Sequence, residues 1–295
     1  RNPESVRTNF CPRFSPMKTV LECLERGASY LRERGVEGSR RNMEWLLAQQ
    51  LSCSRIELYA SFDRPMTEQE LAPLRGLLKR RGEGEPLQHI LGTVEFAGRE
   101  FLCDKRALIP RPETEEMVEL TLQLDLNDQL QVLDVGTGSG VIGITIGLSL
   151  GERCANTVLT DISSAALALA KENADRHALP VNCIETDLLE GVVGTYHLIL
   201  ANLPYIPEGD KETLSQEVAH DPATALFGGQ DGLDLLRRFI PTIRGHLKSC
   251  GWLVLEIGST QGPEVVALAQ SAGLDPVRLQ HDLSGKPRFV FAQAP

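Results

Sequence analysis

The heptapeptide Asp134-Val135-Gly136-Thr137-Gly138-Ser139-Gly140 closes a short apolar run and opens a helical one, and this junction constrains the chain more than any other segment. Downstream of Pro110 and Pro112, β-type runs recur over residues 131–135, 157–161, 181–185, 197–201 and 252–257. Helical patterns lie between them, as over 164–176 and 233–247. Strands alternating with helices predict a doubly wound α/β fold, a parallel sheet covered on both faces. Ligands in that architecture bind at the carboxyl ends of the strands.

The glycine loop sits at such an end. Gly138, Gly140 and Gly143 satisfy G-x-G-x-x-G. Glycines let the backbone approach a ligand closely, and the following helix N-terminus offers unpaired N–H groups to an anion. Asp161 ends the second strand about twenty residues on, where a carboxylate can accept hydrogen bonds from a ribose diol. These features fit a dinucleotide and S-adenosylmethionine equally well. Asp187, closing the third strand, stands where it can accept from an adenine amino group, which a nicotinamide fingerprint does not require, and so favours S-adenosylmethionine. Leu188 and Leu189 then read as walls for the adenine ring or as core.

After the fourth strand comes Ala201-Asn202-Leu203-Pro204-Tyr205. Asn202 supplies an amide with one acceptor and one donor end. Pro204 drives Leu203 into an extended conformation that can aim its carbonyl outward. A planar NH2 group could give one hydrogen to Asn202 and the other to the Leu203 carbonyl, with Tyr205 stacked on its face. An amide nitrogen is a poor nucleophile, because its lone pair is delocalised. Holding both hydrogens at a near-attack distance of about 3 to 3.5 Å turns a slow encounter into an oriented displacement.

Upstream of Pro110 the pattern is helical. Val20, Leu21, Leu24 and Leu31, then Met43, Leu46 and Leu47, follow three-and-four spacing, and Thr67 with Glu70 forms a capping box before Leu71, Leu74, Leu77 and Leu78. Val94, Phe96, Phe101 and Cys103 around Gly98 read as a hairpin that connects this bundle to the α/β region. The expected division is a disordered or non-native leader over 1–16, a helical recognition domain over 17–90, a hairpin and linker over 91–112, and a catalytic domain over 113–295. Glu115 and Glu116 read as a solvated first helical turn.

Composition narrows the function classes. No window approaches the roughly 18 apolar residues of a membrane helix. A net charge of -10 argues against a protein whose main task is gripping phosphate backbones. The seven cysteines and six histidines are scattered without metal-ligand spacing, so no metal is expected and the thiols read as reduced, in a cytoplasmic setting.

Together these segments resemble the class I S-adenosylmethionine-dependent methyltransferases, and among them the PrmC (HemK) release factor glutamine methyltransferases. The likeness rests on Ile109-Pro110-Arg111-Pro112-Glu113-Thr114-Glu115, the glycine loop, Asp161, Asp187, the N-L-P-Y loop, and Asp221-Pro222-Ala223 running into Gly228-Gly229-Gln230-Asp231-Gly232-Leu233-Asp234. It spans the chain from about Met17 to the C-terminus. The resemblance implies a seven-stranded Rossmann-like domain preceded by a helical bundle, acting as a cytoplasmic monomer. It implies methylation of the glutamine in the Gly-Gly-Gln tip of class-1 peptide chain release factors. Carried over by position, Gly136, Thr137, Gly138, Ser139, Gly140, Asp161, Asp187, Leu188 and Asn202 would hold the cofactor. Asn202, Leu203, Pro204 and Tyr205 would grip the glutamine, with Asn202, Pro204 and Tyr205 in catalytic roles. The family usually reads N-P-P-Y, so Leu203 is a departure that touches substrate choice. N-L-P-Y also resembles the rRNA adenine dimethyltransferases, which leaves amino-group methylation of a nucleic-acid base as the alternative. No nucleic-acid substrate is expected, and the chain's own Gly228-Gly229-Gln230 reads as coincidence.

Overall fold

A computed structural model describes residues 18–126, 128–214 and 217–295. The expected leader over 1–16 lies outside the described residues. The chain forms two compact units that divide between Leu91 and Gly92.

In the first unit, strand β1 (Lys18–Thr19) leads into helices α1 (Val20–Arg32), α2 (Ser39–Gln50) and α3 (Arg55–Ala60). Strand β2 (Pro65–Met66), antiparallel to β1, precedes α4 (Glu68–Gly82) and α5 (Leu87–Leu91). The capping box is present: Glu70 Oε2 accepts from Thr67 N at 2.8 Å, fixing the start of α4. A second box, Ser54 with Glu57, starts α3. Val20, Leu24, Leu31, Met43, Leu46, Leu47, Leu71, Leu74 and Leu78 share one core, as their spacing predicts.

The second unit begins with the hairpin β3 (Thr93–Phe96) and β4 (Arg99–Leu102), followed by α6 (Pro112–Leu122). The α/β region comprises β5 (Leu130–Val135), α7 (Val141–Leu150), β6 (Cys154–Asp161), α8 (Ser164–Arg176), β7 (Asn182–Glu185) and β8 (Tyr196–Ala201). It ends with α9 (Asp234–Phe239), β9 (Leu247–Glu256), α10 (Gly262–Ser271), β10 (Val277–His281) and β11 (Pro287–Gln293). The sheet has seven strands in the order β10-β11-β9-β8-β5-β6-β7. Strands β5 to β9 run parallel, whereas β11 pairs antiparallel with both β9 and β10, so the sheet is mixed rather than wholly parallel.

Three features depart from the sequence expectation. The hairpin is more than a connector, because Phe96 and Phe101 are buried in one core with Met117, Val132, Ile144 and Phe289. The helix expected over 233–247 is shorter: α9 stops at Phe239 and the chain tightens into a 3-10 turn over Ile240–Gly245, since Pro241 lacks the N–H that would continue the ladder. Glu115 and Glu116 are not simply solvated, for Glu115 accepts from Ala97 N at 3.1 Å in the hairpin turn and Glu116 from Leu283 N at 2.8 Å.

Helix α7 is apolar all round and almost wholly buried. It reaches the sheet because of Gly143, where a Cβ would stand 2.5 Å from Leu159 Cδ2 and 2.9 Å from Asp134 Cβ. Strand β5 has β6 on one side and β8 on the other, so the crossover direction reverses at its carboxyl end. Such a switch point opens a crevice between loops that leave in opposite directions.

Candidate active site

The crevice is a cavity of about 370 Å³. Gly136, Thr137, Gly138 and Ser139 line it from the glycine loop, and Asp161 and Ile162 from the end of β6. Asp187 and Leu188 follow β7, and Asn202, Leu203 and Pro204 follow β8. Four loops of distant sequence thus converge on one space.

The glycine loop presents backbone. Gly136 and Gly138 both adopt positive φ, at +68° and +56°. Asp161 anchors the loop, with Oδ2 accepting from Gly138 N and Oδ1 from Ser163 N, each at 2.9 Å. The Ile162 N–H also supports the carboxylate, and burial raises its pKa. Gly140 does not line the cavity. It caps α7 at φ +83°, where a Cβ would press on Ile144 and Ala170, so its role is packing.

Asp134 is completely buried beneath this loop. Its Oδ2 accepts from Thr137 Oγ1 at 2.6 Å and Gly143 N at 2.9 Å, while Oδ1 has no partner among the described residues. Burial pushes its pKa from 3.8 to about 6.

After β7, Asp187 Oδ2 accepts from Arg238 at 2.6 Å, an ion pair the sequence did not suggest. Leu188 lines the cavity with φ at +54°, a strained conformation for a branched residue, whereas Leu189 belongs to the core.

The acceptor loop is held by side chains from afar. Asn202 Nδ2 donates to Thr114 Oγ1 at 3.3 Å, and Thr114 Oγ1 donates to Glu256 Oε2 at 2.7 Å. Glu256, at the end of β9, is 2% exposed, and burial raises its pKa. No described residue donates to the Leu203 carbonyl. Tyr205 departs from its expected stacking position: it is absent from the cavity lining and donates its hydroxyl to Glu256 Oε1 at 3.3 Å. Burial raises its pKa as well.

The Gly228 to Asp234 segment buttresses the loop from behind. A Cβ on Gly228 would stand 2.3 Å from the Pro204 carbonyl oxygen, and one on Gly232 would stand 2.1 Å from that of Tyr205. Gln261 Nε2 donates to the Tyr205 carbonyl at 3.0 Å and to that of Gly232 at 3.2 Å. Close packing therefore requires the glycines at 228, 229 and 232, whereas Gln230 of the Gly-Gly-Gln triplet is exposed. Opposite, Arg111 donates to Asp221 Oδ2 at 2.7 Å, and Ile109 N donates to Oδ1 at 3.2 Å. This ties the I-P-R-P segment to the D-P-A segment across the cavity rim. Asp221 is buried, which raises its pKa.

Sequence reasoning missed Thr114, Glu256, Arg238 and the place of Asp134. Thr114 lay within a segment already singled out, but Glu256 is a lone acid ending an apolar strand and carries no local signal. Among the described residues, no group of three or more His, Cys, Asp or Glu side chains could hold a metal, and no helix is long and apolar enough to cross a membrane.

Two family models match, described as the PrmC N-terminal domain, over residues 22–92, and the methyltransferase small domain, over 118–232. The release factor glutamine methyltransferase of Geobacter sulfurreducens is 40% identical over 274 residues, covering 92% of this chain and 95% of the relative. The chain belongs to the release factor glutamine methyltransferase family. The family enzyme of Bacillus subtilis is 37% identical over 287 residues, covering 94% of this chain and 98% of the relative. A solved methyltransferase from Pyrococcus furiosus shares the fold at a TM-score of 0.50 and 16% identity, covering 65% of this chain and 87% of its own. Thr114 and Glu256 both fall outside the stretch matched by the methyltransferase small domain.

Proposed function

We propose that this chain methylates the side-chain amide nitrogen of the glutamine in the Gly-Gly-Gln tip of class-1 peptide chain release factors, with S-adenosylmethionine as methyl donor. The observation that carries the reading is the orientation of Asn202 at the cavity. Its Nδ2 is engaged by Thr114, which leaves Oδ1 as the acceptor end beside a Leu203 carbonyl that takes no internal donor.

The cavity suits the cofactor. Gly136 and Gly138 expose main chain where side chains would fill the space. Asp161 presents its carboxylate to a ribose diol, and Asp187, held by Arg238, offers its other oxygen to an adenine amine. Leu188 and Ile162 supply apolar walls. Thr137 and Ser139 complete the loop. Bound there, the cofactor supplies an electrophilic methyl group. The rest falls to Asn202 Oδ1 and the Leu203 carbonyl, which accept the two amide hydrogens of the glutamine and aim its nitrogen at the methyl. Transfer would form the N–C bond at the expense of the methyl donor's S–C bond. The nitrogen would become cationic and so acidic enough to release one hydrogen to solvent, so no strong base has to act beforehand. Tyr205 acts from behind the loop, through Glu256.

On this reading the helical unit recognises the release factor, and the enzyme works as a cytoplasmic monomer with no nucleic-acid substrate. The test is transfer of radiolabel from S-adenosylmethionine to a purified class-1 release factor, beside a Gln→Ala variant of its tip and ribosomal RNA. Label on the unmodified factor and not on the variant is expected. Label on RNA alone would replace this reading with methylation of base amines.

A further inference from the structure

Thr114, Glu256 and Asn202 come from three separate parts of the second unit and meet beside the acceptor loop, with Thr114 and Asn202 in the cavity lining and Glu256 buried behind them. The chemistry of the three groups leaves one consistent arrangement of hydrogens. An ionised carboxylate has only lone pairs to offer. Glu256 therefore claims the single hydroxyl proton of Thr114, at 2.7 Å. Thr114 Oγ1 can then meet Asn202 only as an acceptor, so the amide end 3.3 Å away is the NH2 end. The oxygen end is left for the substrate. Tyr205 donates to the second carboxylate oxygen and holds Glu256 in place.

We propose that Thr114 and Glu256 are positioning residues that fix which end of the Asn202 amide faces the substrate, and thereby make the site select an NH2-bearing side chain over a carboxylate. The proposal rests on the glutamine-methylation reading and adds to it the source of discrimination between glutamine and glutamate. An asparagine amide is nearly symmetric in shape, and its two orientations are told apart by hydrogen bonds alone. Turned round, Asn202 would present a donor, which repels an amide N–H and welcomes a carboxylate oxygen. The Thr114–Glu256 end of the relay is charge-assisted and buried, the setting in which a hydrogen bond is held most firmly, and the Asn202–Thr114 bond is part-buried.

A second consequence concerns protonation. A protonated Glu256 becomes a donor toward Thr114, which frees the Thr114 proton to point at Asn202 and reverses the relay. Burial favours that protonated form, as does the nearby Glu113; the Thr114 and Tyr205 hydroxyls and Arg288 oppose it. Methyl transfer should therefore fall on the acid side through a limb that belongs to Glu256.

The test uses the full chain with Thr114→Val, which keeps shape without the hydroxyl, Thr114→Ser, which restores it, and Glu256→Gln. Methyl transfer to a release factor is measured beside inhibition by the same factor carrying Gln→Glu at its tip. In Thr114→Val, kcat is expected to drop about tenfold or more, matching the loss of one buried hydrogen bond. Cofactor affinity should hold, and the preference for the glutamine tip over the glutamate tip should narrow by a similar factor. Thr114→Ser should restore both, and Glu256→Gln should narrow the preference and remove the acid limb. A Thr114→Val enzyme with full kcat and full preference overturns the proposal, as does a loss that serine does not repair. Should the valine variant fail to fold, an unchanged preference and acid limb in Glu256→Gln would overturn it just as well. Absence of label with the unmodified enzyme removes the methylation reading and this inference together; label that Thr114→Val does not diminish removes the inference alone.

Discussion

The loop over residues 136–140 and the loop over 202–205 leave neighbouring strands of one sheet and face one cavity, yet they are held in different ways. The first presents mainly backbone: positive-φ glycines and a helix N-terminus, pinned by Asp161 on Gly138 from 23 positions away, by Asp134 on the Thr137 hydroxyl and by Asn173 on the Ser139 carbonyl. The second is built from side chains that arrive across 88, 142 and 51 positions of sequence, with glycines of yet another segment pressed against its back. A loop that receives a cofactor common to many enzymes can be local and generic. A loop that must tell one nitrogen from its chemical relatives needs hydrogen-bond directions that only tertiary packing can fix.

The comparison breaks first at Asn202. Asn202→Ala should lower kcat by about 10² to 10³, the usual loss when one preorganised polar contact is removed, while leaving cofactor affinity within a few-fold. Isothermal titration with S-adenosylmethionine beside single-turnover methylation separates the two. Cofactor binding that falls together with turnover would mean that the two loops are not functionally distinct.

A smaller effect lies under the glycine loop. Asp134 titrates at about 6 when folded against 3.8 ordinarily, so it favours the folded state in its protonated form. Its contribution is fully present below pH 3.8 and is lost as pH rises through about 6. At 1.36 kcal/mol per unit the difference is about 3 kcal/mol. Urea unfolding of the wild type and Asp134→Asn over that window should show the wild type losing stability relative to the variant as pH rises. Parallel curves would assign the burial of Asp134 no energetic cost.

The smallest change is expected at Asp161. Asp161→Asn keeps the shape but turns one accepting end into a donor against Gly138 N or Ser163 N. Cofactor Kd should rise by about tenfold, with kcat at saturating cofactor nearly unchanged, since one hydrogen bond is worth about 1 to 1.5 kcal/mol. A kcat loss exceeding the Kd change would show that the backbone loop also orients the acceptor side.

What could be read from the sequence follows the same division. The glycine loop, Asp161, Asp187 and the N-L-P-Y segment announce themselves because each couples residue type to a fixed place at the end of an apolar run. Alternating strands and helices likewise foretell the parallel part of the sheet. Strand β10 escaped, because Val277–His281 is a partly exposed edge strand with a polar sequence. Phe96 and Phe101 were legible as a hairpin but not as core, since nothing local tells a two-stranded ribbon what it packs against. Glu256 escaped for a similar reason: its partners lie up to 142 positions away, and burial of a carboxylate is decided by packing alone. Tyr205 was placed correctly in the chain and wrongly in space, because an aromatic ring after a strand can turn toward the ligand or toward the sheet.

One contact joins the two loops directly. A Cβ added at Gly136 would stand 2.8 Å from Cδ2 of Leu203, the residue that departs from the N-P-P-Y pattern. Positions 136 and 203 therefore share a single volume, and what one occupies the other must vacate. In related chains the two should vary as a matched pair, with the leucine accompanied by glycine and any bulk at 136 accompanied by a smaller residue at 203. Transplanting either loop alone between such chains would leave a hole or a collision where cofactor and substrate meet.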